Sequence, residues 1–385
     1  MKTLSKKLTF DSKALAYLLQ LLPSARLIGG CVRDMLLGIS SYDIDLAVPI
    51  VPERVLEILA LHKIKAIPTG IDFGTVTAVI DGEAFEITSL RKDIECDGRH
   101  VVVEYTEDFA EDAARRDFTI NALSYSPSEG MIYDYYGGLD DLEAERVRFI
   151  GPPAERIHED HLRILRFFRF TARYALEINQ EGYKACIALR DKLSTLPRER
   201  INVEMDKLLV AKNASNVFAA MIEGKIDVMS GLNVKNIPAT HELKLPSLYA
   251  IMLSDNSLEA LRTRLPHLKF SRKRIHEILD LIRMYYSAYK SDSDSIQNII
   301  LELWIDGYDA LQHLLFALHM HLISSYDAEN LKAKLSKTLP TMPVSGNDLI
   351  GKFHGREIGK ALLKLKKVWI ASEFKATKEE LLHVC

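Results

Sequence analysis

Cysteine is scarce in this chain of 385 residues: there are only four, and none forms a CxxC pair or stands in a Cys/His cluster. A disulfide framework or a structural zinc site needs such spacing, so both are excluded and we expect reduced thiols. No stretch approaches the roughly 20 apolar residues that span a bilayer. Because no apolar run follows the basic start either, we predict a cytoplasmic protein without a membrane segment.

An excess of charge of either sign is also missing. The chain has 50 Lys and Arg against 53 Asp and Glu, a formal net charge of -3. This balance argues against non-specific binding to polyanions, so any nucleic-acid surface has to be local. Residues 331–385 are the basic exception, with 11 Lys and Arg against five Asp and Glu. They are either a solvated basic surface or a region that grips RNA phosphates independently of sequence.

Strand-like runs are concentrated before residue 150, whereas apolar residues recur at helical spacing from Pro153 onward. The pattern predicts an α+β fold, with a mixed-sheet head followed by all-helical regions. We place the head at 1–150, a helical neck and body at 151–245, and a helical body and tail at 246–385. The join is predicted at "IGPPAERI", where two prolines follow a glycine.

The stretch "LIGGCVRDMLLG", residues 27–38, combines a strand, a glycine turn and a short helix. Glycines before a helix leave backbone N–H groups that suit a phosphate, and Arg33 adds a charged fork one turn later. Gly30 and Arg33 are therefore predicted to bind phosphate. A glycine turn that serves only packing is the alternative.

Two aspartates alternate in the next predicted strand, "YDIDLAV". Residues two apart in a strand project from the same face, so Asp43 and Asp45 place two carboxylates side by side. Such charges repel each other unless a cation lies between them, and magnesium typically binds one or two carboxylates together with substrate phosphates. We predict that this pair holds Mg²⁺ and is catalytic; Glu86, on a later strand, could complete the cluster. A turn aspartate and a solvated strand residue are the alternatives.

Four arginines share one stripe of a predicted helix, interleaved with apolar residues. Their mutual repulsion indicates an anion such as a triphosphate. Asp160 stands one turn before the first of them and is predicted to pair with it, offering an acceptor and donors to the pairing edge of a base. An ordinary surface ion pair is the alternative. The stripe consists of Arg163, Arg166, Arg169 and Arg173.

The segment "RRDFTIN" places Arg115 and Arg116 beside Asp117, ahead of an apolar run. We predict contacts from these arginines to the sugar and phosphates of a nucleotide. A helix cap by Asp117 is the alternative, and it is compatible with the first interpretation.

These motifs together resemble the class II tRNA nucleotidyltransferases, the CCA-adding enzymes, and the related bacterial poly(A) polymerases. "GGCVRDMLLG" with "DID" is similar to the first family motif, and "EDAARRDFTINALSY" to the second. "EDHLRILRFFRFTARY" resembles the nucleotide-templating motif, and "PRERINVEMDKLL" a later ERxxxE helix. The charged segment from Arg91 to Phe109 resembles the flexible loop of full CCA-adding enzymes. The ordered set extends from about Leu27 to Ile370.

The resemblance implies addition of CCA to the 3′ end of tRNA from CTP and ATP, without a nucleic-acid template. It implies two Mg²⁺ ions at Asp43 and Asp45, and selection of the base by Asp160 and Arg163. The nucleotide is implied to contact Gly30, Arg33, Arg116, Arg166 and Arg169. The partners are then the tRNA acceptor end, CTP and ATP, with no obligate protein partner. His161 replaces the usual proline of the templating motif.

Two alternatives stay open in the sequence. An A-adding enzyme or a poly(A) polymerase of the same family would carry nearly the same motifs. A non-catalytic RNA-binding protein on this scaffold is a second alternative, which the presence of both Asp43 and Asp45 disfavours.

Overall fold

The computed structural model describes residues 1–6, 8–39, 43–96, 101–232, 234, 243–254, 256–288, 293–305, 308–338 and 341–384. The chain forms two compact units, Met1–Ser230 and Gly231–Cys385. The domain boundaries predicted at 150 and 245 stay a prediction. The sequence also suggests a break near Asn236 to Pro246, and this segment falls largely outside the described residues.

The described strands all lie in the first unit. They are β1 (Lys2–Ser5), β2 (Arg26–Ile28), β3 (Asp45–Val48), β4 (Lys65–Gly70), β5 (Thr75–Ile80), β6 (Glu83–Ser89), β7 (Arg91–Cys96), β8 (Val101–Tyr105), β9 (Ser124–Ser126) and β10 (Met131–Asp134). Eight of them form one sheet in the order β1-β10-β9-β2-β3-β6-β5-β4, and β7 pairs with β8 in a separate hairpin. The β3–β6 pair is parallel, whereas β2–β3 and β5–β6 are antiparallel. The sheet is therefore mixed.

Helices of the first unit cover the sheet and continue beyond it. They are α1 (Lys13–Leu21), α2 (Gly30–Leu36), α3 (Pro52–Leu61), α4 (Phe109–Ala114), α5 (Gly138–Glu143), α6 (Pro153–Glu159), α7 (Arg163–Tyr174), α8 (Gln180–Ala188), α9 (Arg198–Leu209), α10 (Ala214–Glu223) and α11 (Ile226–Met229). Leu46 and Val48 of β3 join the large core beneath α1, α2 and α3. Ala47 packs in a different cluster with Leu90 and Phe109. Alternation along β3 therefore directs Asp45 away from the large core, toward the side of α4.

Aromatic packing ties α7 to the end of the head. Phe118 and Phe149 form an isolated bridge, and their rings lie 4.9 Å apart. Phe167 stacks on Phe149 at 5.4 Å, and Phe170 meets Phe118 edge-on at 5.3 Å. Because these rings are buried, one face of α7 is fixed, and the arginine face is held at a defined place.

The second unit is helical in its described part. Its helices are α12 (Leu245–Leu253), α13 (Leu258–His267), α14 (Arg272–Ala288), α15 (Ser293–Ile305), α16 (Ala310–His319), α17 (Ser325–Leu335), α18 (Arg356–Ala371) and α19 (Lys378–His383). A separate core around Leu365 and Trp369 holds α18, α19 and the turn Gly346–Leu349 together. On α18, Lys360, Lys364 and Lys367 remain exposed.

The predicted α+β class, with a mixed-sheet head and helical regions after it, is confirmed. Strands β2, β3, β5, β6 and β8 lie in the five strand-like runs of the sequence, "RLIGG", "YDIDLAV", "TVTAVI", "EAFEITSL" and "HVVVEY". The strands β1, β4, β7, β9 and β10 were not predicted, because they are short or lack regular alternation; β4 even contains Pro68. Among the helices of the described residues, none combines the length and the apolar character that crossing a bilayer requires.

Candidate nucleotide-binding active site

A polar cavity of about 460 Å³ lies in the first unit, where the edge of β3, the glycine turn and α7 meet. It contains the site residues predicted from the sequence, except Asp43 and the third carboxylate, Glu86. Its walls are formed by Gly29, Gly30, Arg33, Asp45, Arg115, Arg116, Asp117, Asn121, Asp160, Leu162, Arg163, Arg166, Arg169, Phe170, Arg173, Tyr174 and Arg200.

The two alternating aspartates differ in their backbone setting. Asp45 is the first residue of β3 and is partly buried, whereas Asp43 precedes the strand and is exposed. The expectation that both lie on the strand is therefore wrong for Asp43, because the ladder to β6 begins at Asp45. The same ladder places Glu86 directly opposite Asp45. Glu86 is thus a neighbour of the pair, although it does not line the cavity.

Asp45 is held in an environment that disfavours its charge. Burial, and then the charges of Glu86 and Asp43, raise its pKa to about 6, against an opposing effect of Arg116. A carboxyl group in this state gains from a bound cation, because a cation replaces the lost hydration and screens the neighbouring negative charges. The donor set at this edge therefore fits a divalent metal ion.

The raised pKa of Asp45 predicts a pH-dependent stability. The folded state binds this proton more tightly than the unfolded state, so the free energy of unfolding falls as the pH rises from about 4 to about 6. In EDTA, Asp45→Asn should stabilise the first unit by roughly 1–2 kcal/mol at pH 7.5 and by little at pH 4.5. Each kcal/mol corresponds to about 2–4 °C in the thermal midpoint. An equal effect of the variant at both pH values would contradict the assignment.

The two glycines of the turn have different roles. Gly29 has a φ of +68°, and a Cβ atom there would lie 2.9 Å from a guanidinium nitrogen of Arg116. Gly30 begins α2, so its backbone N–H belongs to the helix start and points toward the cavity end of the helix. The sequence therefore places the Arg116 guanidinium directly against the turn predicted to bind phosphate.

Asp112 organises the two arginines of the RRD segment. It is buried, and it accepts hydrogen bonds from Arg115 at 2.7 Å and from Arg116 at 3.1 Å. Burial alone would raise the pKa of Asp112, but the charges of Arg116 and Arg115 outweigh it and hold that pKa below its usual range. Asp112 was not among the predicted site residues, although its spacing of three and four from the arginines was a usable signal.

Asp117 is a buried partner of α7 rather than a helix cap. Its carboxylate accepts from the side chain of Asn121 at 2.9 Å and from Nε of Arg166 at 2.6 Å. Burial is opposed by the charge of Arg166 and by these hydrogen bonds, so the pKa of Asp117 lies below its usual range. The short helix Thr119–Asn121 that follows is instead flanked by Phe118 at its N-cap.

The arginines of α7 all line the cavity, as predicted, but an anion is not needed to explain their proximity. Each is matched by a protein carboxylate: Arg163 by Glu159, Arg166 by Asp117, Arg169 by Glu204 and Arg173 by Asp34. Mutual repulsion is therefore not an argument for an anion, and binding of a triphosphate by this row stays a prediction.

Asp160 has a different partner from the predicted one. Its carboxylate pairs with Arg200 of α9 at 3.0 Å, and Arg163 donates to Glu159 and, at 2.8 Å, to the carbonyl oxygen of Arg115. The backbone explains the difference, because Asp160 has an extended conformation between α6 and α7, outside the helical spacing assumed for the pair. Both side chains still face the cavity.

His161 does not disturb the start of α7. The Asp160 side chain accepts from the backbone N–H of Leu162 at 3.1 Å and closes the turn that precedes the helix. Burial and the charge of Lys192 lower the pKa of His161. The ring is therefore neutral at physiological pH and adds no cation beside Asp160.

The residues best suited to a metal ion are the two aspartates. Within the described part of the chain, no group of three or more His, Cys, Asp or Glu side chains has the geometry of a metal site. Two carboxylates, completed by oxygens of a bound nucleotide and of water, match the way magnesium usually binds beside phosphates.

Comparison with protein families identifies the class of the head domain. Residues 25–148 match the Poly A polymerase head domain, and residues 175–226 match the family described as "Probable RNA and SrmB- binding site of polymerase A". The first unit thus has a nucleotidyltransferase head, with a polymerase-type helical region after it.

Full-length relatives define the family more closely. The chain is 34% identical over 379 residues to CCA tRNA nucleotidyltransferase 1, mitochondrial, of Danio rerio, covering 93% of this chain and 86% of the relative. It is 31% identical over 354 residues to the CCA-adding enzyme of Oceanobacillus iheyensis, covering 86% and 84%. The chain belongs to the family of CCA-adding tRNA nucleotidyltransferases.

Solved structures share the fold at lower identity. The Bacillus stearothermophilus CCA-adding enzyme in complex with CTP superposes with a TM-score of 0.74 at 23% identity, covering 96% of both chains. The Thermotoga maritima CCA-adding enzyme complexed with tRNA gives a TM-score of 0.69 at 20% identity, covering 97% of this chain and 95% of that one. The resemblance derived from the motifs is confirmed.

Proposed function

We propose that this protein adds two cytidines and one adenosine to the 3′ end of tRNA, using CTP and ATP. The observation that carries the proposal is the set of residues that line the cavity. Asp45, the glycine turn, the arginines and Asp160 all line this cavity, so a single nucleotide can contact the catalytic edge and the base-selecting residues at once. The names of the relatives support the same activity.

In the proposed reaction, the terminal 3′ hydroxyl of the tRNA attacks the α-phosphorus of the bound nucleotide. A new P–O bond forms, the bond between the α-phosphorus and the bridging oxygen breaks, and pyrophosphate leaves with its electron pair. The hydroxyl proton passes to solvent. No covalent enzyme intermediate is needed.

Asp43 and Asp45 would hold Mg²⁺, which when bound favours ionisation of the attacking hydroxyl and neutralises charge on the leaving pyrophosphate. The protein's own part is chiefly positioning. Gly30 supplies a helix N-terminus, and Arg33 and Arg116 face the phosphates together with the arginine row of α7.

Base selection is assigned to Asp160 and Arg163. The carboxylate would accept from the exocyclic amino group that cytosine and adenine share, while the guanidinium would donate to a ring nitrogen or carbonyl oxygen. Uracil and guanine present a carbonyl oxygen at the corresponding place, and this oxygen would face a carboxylate without a proton between them. The proposal therefore accounts for exclusion of UTP and GTP.

The basic region 331–385 is proposed to bind the acceptor end of the tRNA through its phosphates. The exposed lysines of α18 support this assignment. A cytoplasmic location is also part of the proposal, whereas the animal relatives are named mitochondrial.

The test is the length of the product formed from a tRNA that lacks its terminal CCA. CTP alone should extend it by two nucleotides, CTP with ATP by three, and ATP alone by none. Long adenosine tails would identify a poly(A) polymerase. Extension only of a tRNA already ending in CC would identify an A-adding enzyme. RNA binding without extension would identify a non-catalytic protein, and each of these three results would overturn the proposal.

A further inference from the structure

Among the described arginines that line the cavity, Arg33 is the most tightly surrounded. The carboxylate of Asp34 stands next to it in the sequence. The Nε of Arg33 donates to Asp34 at 2.8 Å, and one terminal nitrogen donates to the Asn121 side chain. The group is only 5% exposed. Its guanidinium carbon lies 4.2 Å from the ring centre of Tyr174 and 5.2 Å from that of Phe170. Aromatic faces at these distances attract a cation and limit its movement.

The Tyr174 hydroxyl reaches the same carboxylate that holds Arg33. It donates to Oδ1 of Asp34 at 2.9 Å, and this oxygen also accepts from the Arg33 guanidinium. Tyr174 thus contacts Arg33 with its ring and fixes the partner of Arg33 with its hydroxyl. The side chain is 9% exposed and lines the cavity.

The two residues belong to different parts of the first unit. Arg33 and Asp34 lie on α2, directly after the glycine turn, whereas Tyr174 is the last residue of α7, which also carries the arginine row. Tyr174 is stacked on Phe170 at 5.8 Å, and Phe170 is itself packed on Phe118. The aromatic packing that fixes α7 therefore extends to Arg33.

We propose that Tyr174 is a positioning residue for nucleotide binding, which orients Arg33 toward the triphosphate and couples it to the base-selecting helix. The proposal rests on the proposed function, because it assigns the triphosphate to Arg33. Its ring and its hydroxyl have separable tasks. The ring limits the movement of the Arg33 guanidinium from one side. The hydroxyl holds the Asp34 carboxylate in the geometry that Arg33 requires.

The hydroxyl remains a donor at every pH at which the enzyme is assayed. Burial, together with the charge of Asp34 and the hydrogen bond to it, raises the pKa of Tyr174 to about 12, against an opposing effect of Arg33. An effect of removing the hydroxyl should therefore be the same at pH 6.5 and pH 8.5.

The decisive variant is Tyr174→Phe, which keeps the ring and removes the hydroxyl. We expect KM for CTP and for ATP to rise about five- to tenfold, the loss expected for one intramolecular hydrogen bond. The value of kcat at saturating nucleotide should stay within about twofold, and KM for tRNA should not change. Direct binding of CTP and of ATP at equilibrium should weaken by the same factor. Unchanged nucleotide affinity would overturn the proposal.

A matched control is Tyr183→Phe on α8. Its hydroxyl donates to the carbonyl oxygen of Ala220 at 3.0 Å, and Tyr183 does not line the cavity. This variant loses a comparable hydrogen bond, so a general loss of stability would affect both variants. Only Tyr174→Phe should change nucleotide affinity. An equal change in the control would overturn the proposal.

A double-mutant cycle with Asp34→Asn tests the route of the effect. If the hydroxyl acts through the Asp34 carboxylate, the double variant should raise KM for CTP no further than the stronger single variant. If the two substitutions instead multiply their effects on KM for CTP, the hydroxyl does not act through Asp34, and the proposed route is overturned. Failure of the proposed function remains distinguishable, because the parent protein would then not extend tRNA by CCA, whereas the binding measurement needs no turnover.

Discussion

Replacing Asp43 by alanine, or Asp45 by asparagine, is expected to lower nucleotide transfer by roughly a thousandfold or more, because each change removes a carboxylate proposed to hold the metal. CTP binding should be largely retained, because the arginines and the glycine turn that contact the phosphates are untouched. Single-turnover transfer to tRNA and equilibrium CTP binding, measured on the same preparations, check both parts of the prediction.

A control for these variants is Asp72→Ala, which removes an exposed carboxylate from the same head. It should transfer nucleotides at the rate of the parent. Retained turnover in both Asp43→Ala and Asp45→Asn would refute the metal assignment. Loss of CTP binding in parallel with transfer would show instead that the carboxylates act in nucleotide binding.

Substitution of Asp160 should loosen the choice of base before it stops the chemistry. Asp160→Ala removes the acceptor proposed to read the amino group, so discrimination against UTP and GTP should fall by about 10- to 100-fold. Asp160→Asn is more informative, because an amide offers both an acceptor and a donor and can face an amino group or a carbonyl oxygen. It should incorporate UTP more readily than Asp160→Ala does. The ratios of kcat/KM for the four nucleotides measure these effects.

Glu155→Ala is the matched control for Asp160. Glu155 is an exposed acid on α6, the helix that ends immediately before Asp160, and it does not line the cavity. Its substitution should leave the four ratios unchanged. If Asp160→Ala excludes UTP and GTP as well as the parent does, base selection resides elsewhere.

The cavity could be located from the sequence because most of its residues lie within short motifs. The arginine row on α7 follows from helical spacing, and the glycine turn from its position between a strand and a helix. The carboxylates that neutralise these arginines were harder to find. Asp117 pairs with Arg166 across 49 positions, and Asp34 pairs with Arg173 from a different helix, α2. Local periodicity carries no information on such distant pairs.

Alternation alone also does not predict the residues at which a strand begins and ends. Asp43 and Asp45 share the spacing of a strand, yet the described ladder to β6 begins at Asp45, opposite Glu86, although β6 itself begins at Glu83. Where pairing between two strands begins is a tertiary property, which alternation within one segment does not carry. The pairing of Asp160 with Arg200 has the same origin, since it depends on the placement of α9 beside α7.

The pairing of each α7 arginine with a carboxylate of the protein has a consequence for turnover. Entry of a triphosphate exchanges one set of counter-ions for another, and departure of pyrophosphate lets the guanidinium groups return to their internal partners. The protein without nucleotide therefore has part of this positive charge compensated from within, although Asp34 and Glu159 are each shared between two arginines.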